Sequence, residues 1–297
     1  MRVSHDVIRA EPDELRKSKQ MDLKGKSVVI TGAGRGIGQT IAVELARRGA
    51  RVFCSARHKD QLRTTERLIK SQDGTVATFV ADVTNRKQVS KLAAAVMRAF
   101  GRIDILINNA GSFRAVGAVW EVSPERWYQD VMTNLLGPFL CCQAILPSMM
   151  EQRRGIIINL AGGGMDRPFL GASGYGSSKT GLMRFTDTLA FELQQAGYSG
   201  IHVYAIDPGF IRTAMTEYIP KTKGGAKWMP DMQKWFRLGK DHPAEEAAEA
   251  IAKLIQISQP ALSGRVFFWH QNFAEIDRRA EDIQARDTFQ LRYLTNF

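Results

Sequence analysis

Apolar positions along this chain alternate between two spacings. Short runs rich in β-branched residues stand at Ser27–Thr31, Arg51–Ser55, Thr75–Val80, Ile103–Ile107, Ile156–Leu160, His202–Ile206 and Val266–Phe268. Between them, Ile37–Arg48, Lys87–Phe100, Trp127–Met150, Ser177–Gln195 and Ala244–Ile257 carry apolar residues at helical spacing and are long enough to cross over a sheet. Strand, helix, strand repeated in this way predicts an α/β, single-domain Rossmann fold: a doubly wound, seven-stranded parallel sheet with right-handed crossovers and helices on both faces. The pattern bounds that domain at 24–270, with an N-terminal extension over 1–23 and a C-terminal extension over 271–297. Within it, 214–240 departs from the repeat. Trp228, Trp235, Phe236, Met215, Met229 and Met232 lie there among Gly224, Gly225 and Pro230, a mix suited to a cover over the substrate with an apolar underside. The tail reads as a charged helix with an apolar end suited to a partner subunit.

A length of 297 residues suits one α/β domain with extensions. Hydrophobic content of 44% beside 24% charged residues excludes neither an enzyme nor a binding module. Met1–Gln20 mixes Asp6, Glu11, Asp13 and Glu14 with basic residues, unlike a secretory or transit leader, and no run approaches the roughly 20 apolar residues of a membrane helix. A cytoplasmic protein that neither spans nor binds a membrane is expected. Cys54, Cys141 and Cys142 have no paired spacing and read as reduced core residues; no metal site is expected. The net charge of +11 suits nucleic acid, an acidic membrane or an anionic small molecule equally. Because the basic residues are spread rather than striped, the charge is read as a solvated surface that also attracts a phosphate-rich cofactor, with no nucleic-acid partner.

Directly after the first strand stands Thr31-Gly32-Ala33-Gly34-Arg35-Gly36-Ile37-Gly38, with Ile37 opening a helical pattern. A glycine-rich strand-to-helix turn lets backbone approach a pyrophosphate, and the helix start offers unpaired N–H groups and a positive dipole end. At the end of the second strand an acid would bond ribose hydroxyls and repel a 2′-phosphate. Instead Arg57 stands there, with Ser55 and Lys59 nearby, where a guanidinium grips phosphate bidentately. NADP(H) is therefore preferred, with NAD(H) as the alternative.

Three motifs together resemble the short-chain dehydrogenase/reductases over about Lys24–Phe268: the glycine turn, Asn108-Asn109-Ala110-Gly111 after the fourth strand, and Tyr175-Gly176-Ser177-Ser178-Lys179. The resemblance implies that Tyr175 gives or takes the proton of the substrate oxygen, and that Lys179 binds nicotinamide ribose. Four residues apart at a helix start, the two share a face, and a nearby ammonium lowers a phenol's pKa. Asp82 and Val83 match the family's adenine-edge contact, and Asn108, Ala110 and Gly111 its wall beside the adenine ribose. Asn134 matches the asparagine that holds a water in the proton relay. Pro208, Gly209, Ile211 and Thr213 match the turn at the nicotinamide carboxamide. The resemblance also implies a homodimer or homotetramer through the helices at Trp127–Met150 and Ser177–Gln195.

One position departs from the family. Its serine, about thirteen residues before the tyrosine, is here Gly162, within Asn159-Leu160-Ala161-Gly162-Gly163-Gly164. Removing one preorganised donor to a developing oxyanion costs about two to three orders of magnitude in rate. Ser173, or backbone N–H groups of Gly162–Gly164, are the candidate replacements. The leading reading is an NADP(H)-dependent oxidoreductase interconverting a carbonyl and an alcohol, on an apolar or ring-containing small molecule suited to Phe113, Trp120 and Phe169. The missing serine keeps two alternatives open: a cofactor-binding sensor without turnover, and a non-redox dehydratase or isomerase.

Overall fold

A computed structural model describes residues 21–290. The start Met1–Gln20 and the apolar end of the tail, residues 291–297, lie outside the described residues. Seven strands form one parallel sheet in the order β3-β2-β1-β4-β5-β6-β7. They are β1 (Ser27–Thr31), β2 (Arg51–Ala56), β3 (Thr75–Val80), β4 (Ile105–Asn108), β5 (Gly155–Leu160), β6 (Ile201–Asp207) and β7 (Arg265–Phe268). Five strands differ from the sequence pattern at an end: β2 gains Ala56, β4 is shifted to start at Ile105 and end at Asn108, β5 gains Gly155, β6 gains a residue at each end, and β7 gains Arg265.

Strict alternation explains why the central strands are apolar throughout. Val28, Ile30, Ile105, Ile107, Ile156 and Ile158 face one layer, where helix α1 (Gly36–Arg47) and helix α10 (Ala244–Gln256) supply Ile41, Leu45, Ile251 and Leu254. Val29, Leu106, Ile157 and Val203 face the other, against α3 (Arg86–Phe100), α5 (Gly137–Glu151) and α6 (Ser173–Gln195). A strand covered on both sides has no polar face to keep.

α2 (Lys59–Lys70) crosses from β2 to β3 although its sequence is mostly polar; only Leu62, Thr65 and Ile69 are buried. The helix expected at Trp127–Met150 is α4 (Pro124–Val131), a π-helical segment at Met132–Leu136, and α5 in one run. By length and composition alone that run, Pro124–Glu151, could cross a membrane, a test that a core helix packed on a sheet also passes. Leu140, Cys141, Cys142, Ile145 and Met149 of α5 are buried on the sheet, while Trp127, Tyr128 and Phe139 stay exposed. The segment 214–240 folds as α7 (Ala214–Tyr218), α8 (Lys223–Trp228) and α9 (Asp231–Arg237) with a 3-10 turn at Ile219–Lys221. The described part of the tail forms α11 (Phe273–Arg278) and α12 (Ala280–Ala285), and buries Phe273, Ile276, Ala280 and Ile283 in the chain's own core.

Candidate active site

Chain order reverses between β1 and β4, so the segments leaving their carboxyl ends diverge and open a crevice, the place where doubly wound sheets bind ligands. One cleft runs along that edge. Gly32, Gly34, Arg35, Gly36, Ile37 and Gly38 form its floor; Arg57, Asp82 and Val83 line one end; Ala110 and Gly111 line the middle; Tyr175, Lys179, Pro208 and Thr213 line the other end. Residues from the first and the sixth strand's ends thus converge on one groove.

The floor fits a dinucleotide pyrophosphate. Gly32 sits at φ +66° and Gly36 at φ +54°, the left-handed region that glycine enters at least cost. A Cβ at Gly38 would overlap Asn109 Nδ2 and stand 2.5 Å from the Gly32 carbonyl oxygen, so the turn closes this tightly only on glycine. No side chain caps the first turn of α1, which leaves its N–H groups for an anion. At the β2 end Arg57 is half-exposed, with Nη1 4.0 Å from Asp82 Oδ2, and no carboxylate occupies the end of β2 itself.

At the opposite end α6 begins at Ser173, four residues earlier than its apolar pattern, which puts Tyr175 and Lys179 on successive turns of one face. Lys179 is buried and donates to the Leu160 carbonyl at 2.6 Å; its Nζ lies 5.7 Å from the Tyr175 ring centre. Burial pushes the Lys179 pKa down to about 8, with Asp207 acting against the shift. Burial pushes the Tyr175 phenol up, and the nearby charges of Asp207 and Asp130 add to it. The Lys179 amine is bonded to a backbone carbonyl, and loss of solvent is the largest influence on the phenol.

Six of the proposed residues do not line the cleft. Ser55 is buried in the sheet, and its hydroxyl has no partner among the described residues. Asn108 points into the interior and donates to Asn159 Oδ1 at 2.9 Å. Gly209 sits against His242 and Trp269, and Ile211 is buried behind the turn, bridged to His242. Asn134 is wholly buried in the π-helical segment: its Oδ1 accepts from Ser112 N, and its Nδ2 donates to Ser112 O and Ser178 Oγ. Ser173 lies at the first residue of α6, outside the cleft lining, and its Oγ is buried with no hydrogen-bond partner among the described residues. At the serine position, a Cβ on Gly162 would overlap the Tyr175 hydroxyl and stand 3.1 Å from Cζ.

Sequence reasoning missed His58, Gln61, Asn109 and Thr133 of the cleft. Asn109 was within reach as the second residue of its motif; here its Nδ2 donates to the carbonyls of Thr31 and Gly32 and holds the glycine turn. The others carry no local signal.

A glycine-floored crevice at the switch point, with a tyrosine and a lysine one helical turn apart at its end, defines a dinucleotide-dependent enzyme of the Rossmann type. Known proteins agree. The short chain dehydrogenase family model matches residues 26–224. The 3-oxoacyl-[acyl-carrier-protein] reductase FabG of Thermotoga maritima is 35% identical over 248 residues, which cover 83% of this chain and 96% of that protein. The (2S)-[(R)-hydroxy(phenyl)methyl]succinyl-CoA dehydrogenase subunit BbsD of Thauera aromatica is 36% identical over 204 residues, covering 68% and 79%. A tryptophan variant of actinorhodin polyketide ketoreductase, solved with NADPH, superposes with a TM-score of 0.73 at 30% identity, over 82% of this chain and 95% of that one. NAD+-bound xylitol dehydrogenase gives 0.75 at 25% identity, over 84% and 98%. The chain belongs to the short-chain dehydrogenase family and is an oxidoreductase acting on CH–OH and C=O groups.

Proposed function

We propose that this protein is an NADP(H)-dependent reductase that interconverts a carbonyl and an alcohol, with Tyr175 as general acid and base and Lys179 as the ribose-binding partner. One observation carries the reading: Tyr175 and Lys179 share the end of a cleft whose opposite end presents Arg57 and no acid from β2. When bound, the nicotinamide supplies or accepts the hydride. The chain's own residues do the rest. Gly34–Gly38 and the start of α1 receive the pyrophosphate, and Arg57 grips the 2′-phosphate. The Tyr175 hydroxyl donates its proton to a forming alkoxide in reduction and takes one from the alcohol in the reverse direction.

The substrate portion beside Tyr175 is apolar or ring-containing. Phe113, Phe169, Phe210, Met215, Met229 and Met232 pack together with Tyr175 there. The Thauera relative, whose named substrate carries a phenyl group, points the same way. A cytoplasmic homodimer or homotetramer completes the reading, with the exposed Phe139 of α5 and Phe191 of α6 on the shared face.

Nucleotide choice is tested by calorimetric titration of Arg57→Ala with NADPH and NADH. Losing a charge-assisted pair should weaken NADPH about ten- to a hundredfold and leave NADH nearly unchanged. Equal losses for both would remove Arg57 from 2′-phosphate recognition.

A further inference from the structure

The loop after β4 is held with unusual completeness. Asp130 of α4, fully buried, accepts from Ser112 Oγ at 2.6 Å, from Arg114 N at 2.8 Å and from Ala115 N at 2.9 Å. One helical turn on, Asn134 takes both the N–H and the carbonyl of Ser112 at 2.8 Å. The backbone on both sides of Phe113 is thereby fixed. The Phe113 ring lies on the Tyr175 ring, centres 4.4 Å apart and planes 14° from parallel, and Phe169 meets Phe113 edge-on at 5.9 Å. Beyond the phenol stands Gly162, where any Cβ would overlap the Tyr175 hydroxyl.

We propose that Phe113 is a positioning residue for Tyr175: held by Asp130 and Asn134, its ring seats the phenol in the space a side chain at 162 would fill, so that this site requires glycine there. The serine of the family is then not merely absent. Its room has gone to the tyrosine hydroxyl, and putting the serine back displaces the proton donor instead of adding a second one. The placement is a steric claim; its consequence for turnover rests on the assignment of Tyr175 as the acid proposed above.

Gly162→Ser, Phe113→Leu and the double variant test it, each read by thermal unfolding, by calorimetric NADPH binding, and by kcat and KM for NADPH oxidation with cyclohexanone and 1-tetralone. NADPH binding should persist in all three. Gly162→Ser should lower the melting temperature and reduce kcat about tenfold to a hundredfold with little change in KM, as a displaced reacting group does. In the Phe113→Leu background the same substitution should cost clearly less in both, because the phenol can then move aside. A rise in kcat for Gly162→Ser, an unchanged melting temperature, or identical effects in the two backgrounds would overturn the proposal. If the wild type reduces neither ketone, the melting cycle still decides the placement, and the failure falls on the functional reading alone.

Discussion

Lys179 is the residue whose chemistry the fold changes most openly. Its amine is buried and bonded to a backbone carbonyl, and its pKa falls to about 8. Between that value and the ordinary lysine range the folded chain binds fewer protons than the unfolded one, so the penalty of burying the ammonium shrinks as pH rises through this window. Below about pH 8 the penalty is present in full. The stability gap between Lys179→Met and wild type, followed by thermal unfolding from about pH 7 to pH 10, should favour the variant most at the low end and narrow upward; a gap that is flat across the window would mean that the amine titrates normally in the fold. Tyr175, Lys179 and the glycines were legible in sequence because their spacing is local: i, i+4 on one helix, and a turn between one strand and its helix. Asp130 and Asp207, which set the charge around the tyrosine, were not. Their contacts join β4, α4 and β6, which only folding brings together.

At the scale of elements, the segment 214–240 is tied to the loop after β4. Lys227 pairs with Glu121, Trp228 Nε1 donates to the same carboxylate at 2.7 Å, and the Trp228 ring meets Trp120 edge-on at 6.0 Å. The pair is exposed to solvent, so its contribution is small. Glu121→Ala should therefore raise KM for substrate a few-fold through a looser cover and leave NADPH affinity unchanged; steady-state kinetics beside calorimetry separates the two. The alternation of strands and helices was legible throughout, because buried parallel strands are continuously apolar. α2 escaped it: a mostly polar helix that buries three residues leaves almost no stripe. The π-helical segment at Met132–Leu136 escaped it too, since Asn134 stays inside only by satisfying partners on other elements.

For the molecule as a whole, the described tail is part of the body. Phe273 and Ile276 pack with Phe267 of β7 and with α10, and Val266 N donates to the Phe289 carbonyl at 2.8 Å, along the outer side of the last strand. Phe273→Ala should cost about 3 to 5 kcal/mol in denaturant unfolding, the loss expected for a buried aromatic side chain in a packed core. A cost below about 1 kcal/mol would mean that the tail docks loosely and that the core closes without it. The sequence pattern placed this segment outside the core because its charged residues dominate, yet its few apolar positions sit on one face and find the edge of the sheet.

All three scales meet at the Tyr175 hydroxyl, and one comparison tests it: NADPH oxidation by wild type and Tyr175→Phe across ring-containing ketones, with NADPH binding measured on both proteins. Binding retained and turnover lost in Tyr175→Phe is the expected result; turnover that survives the substitution would contradict the assignment of Tyr175 as the proton donor.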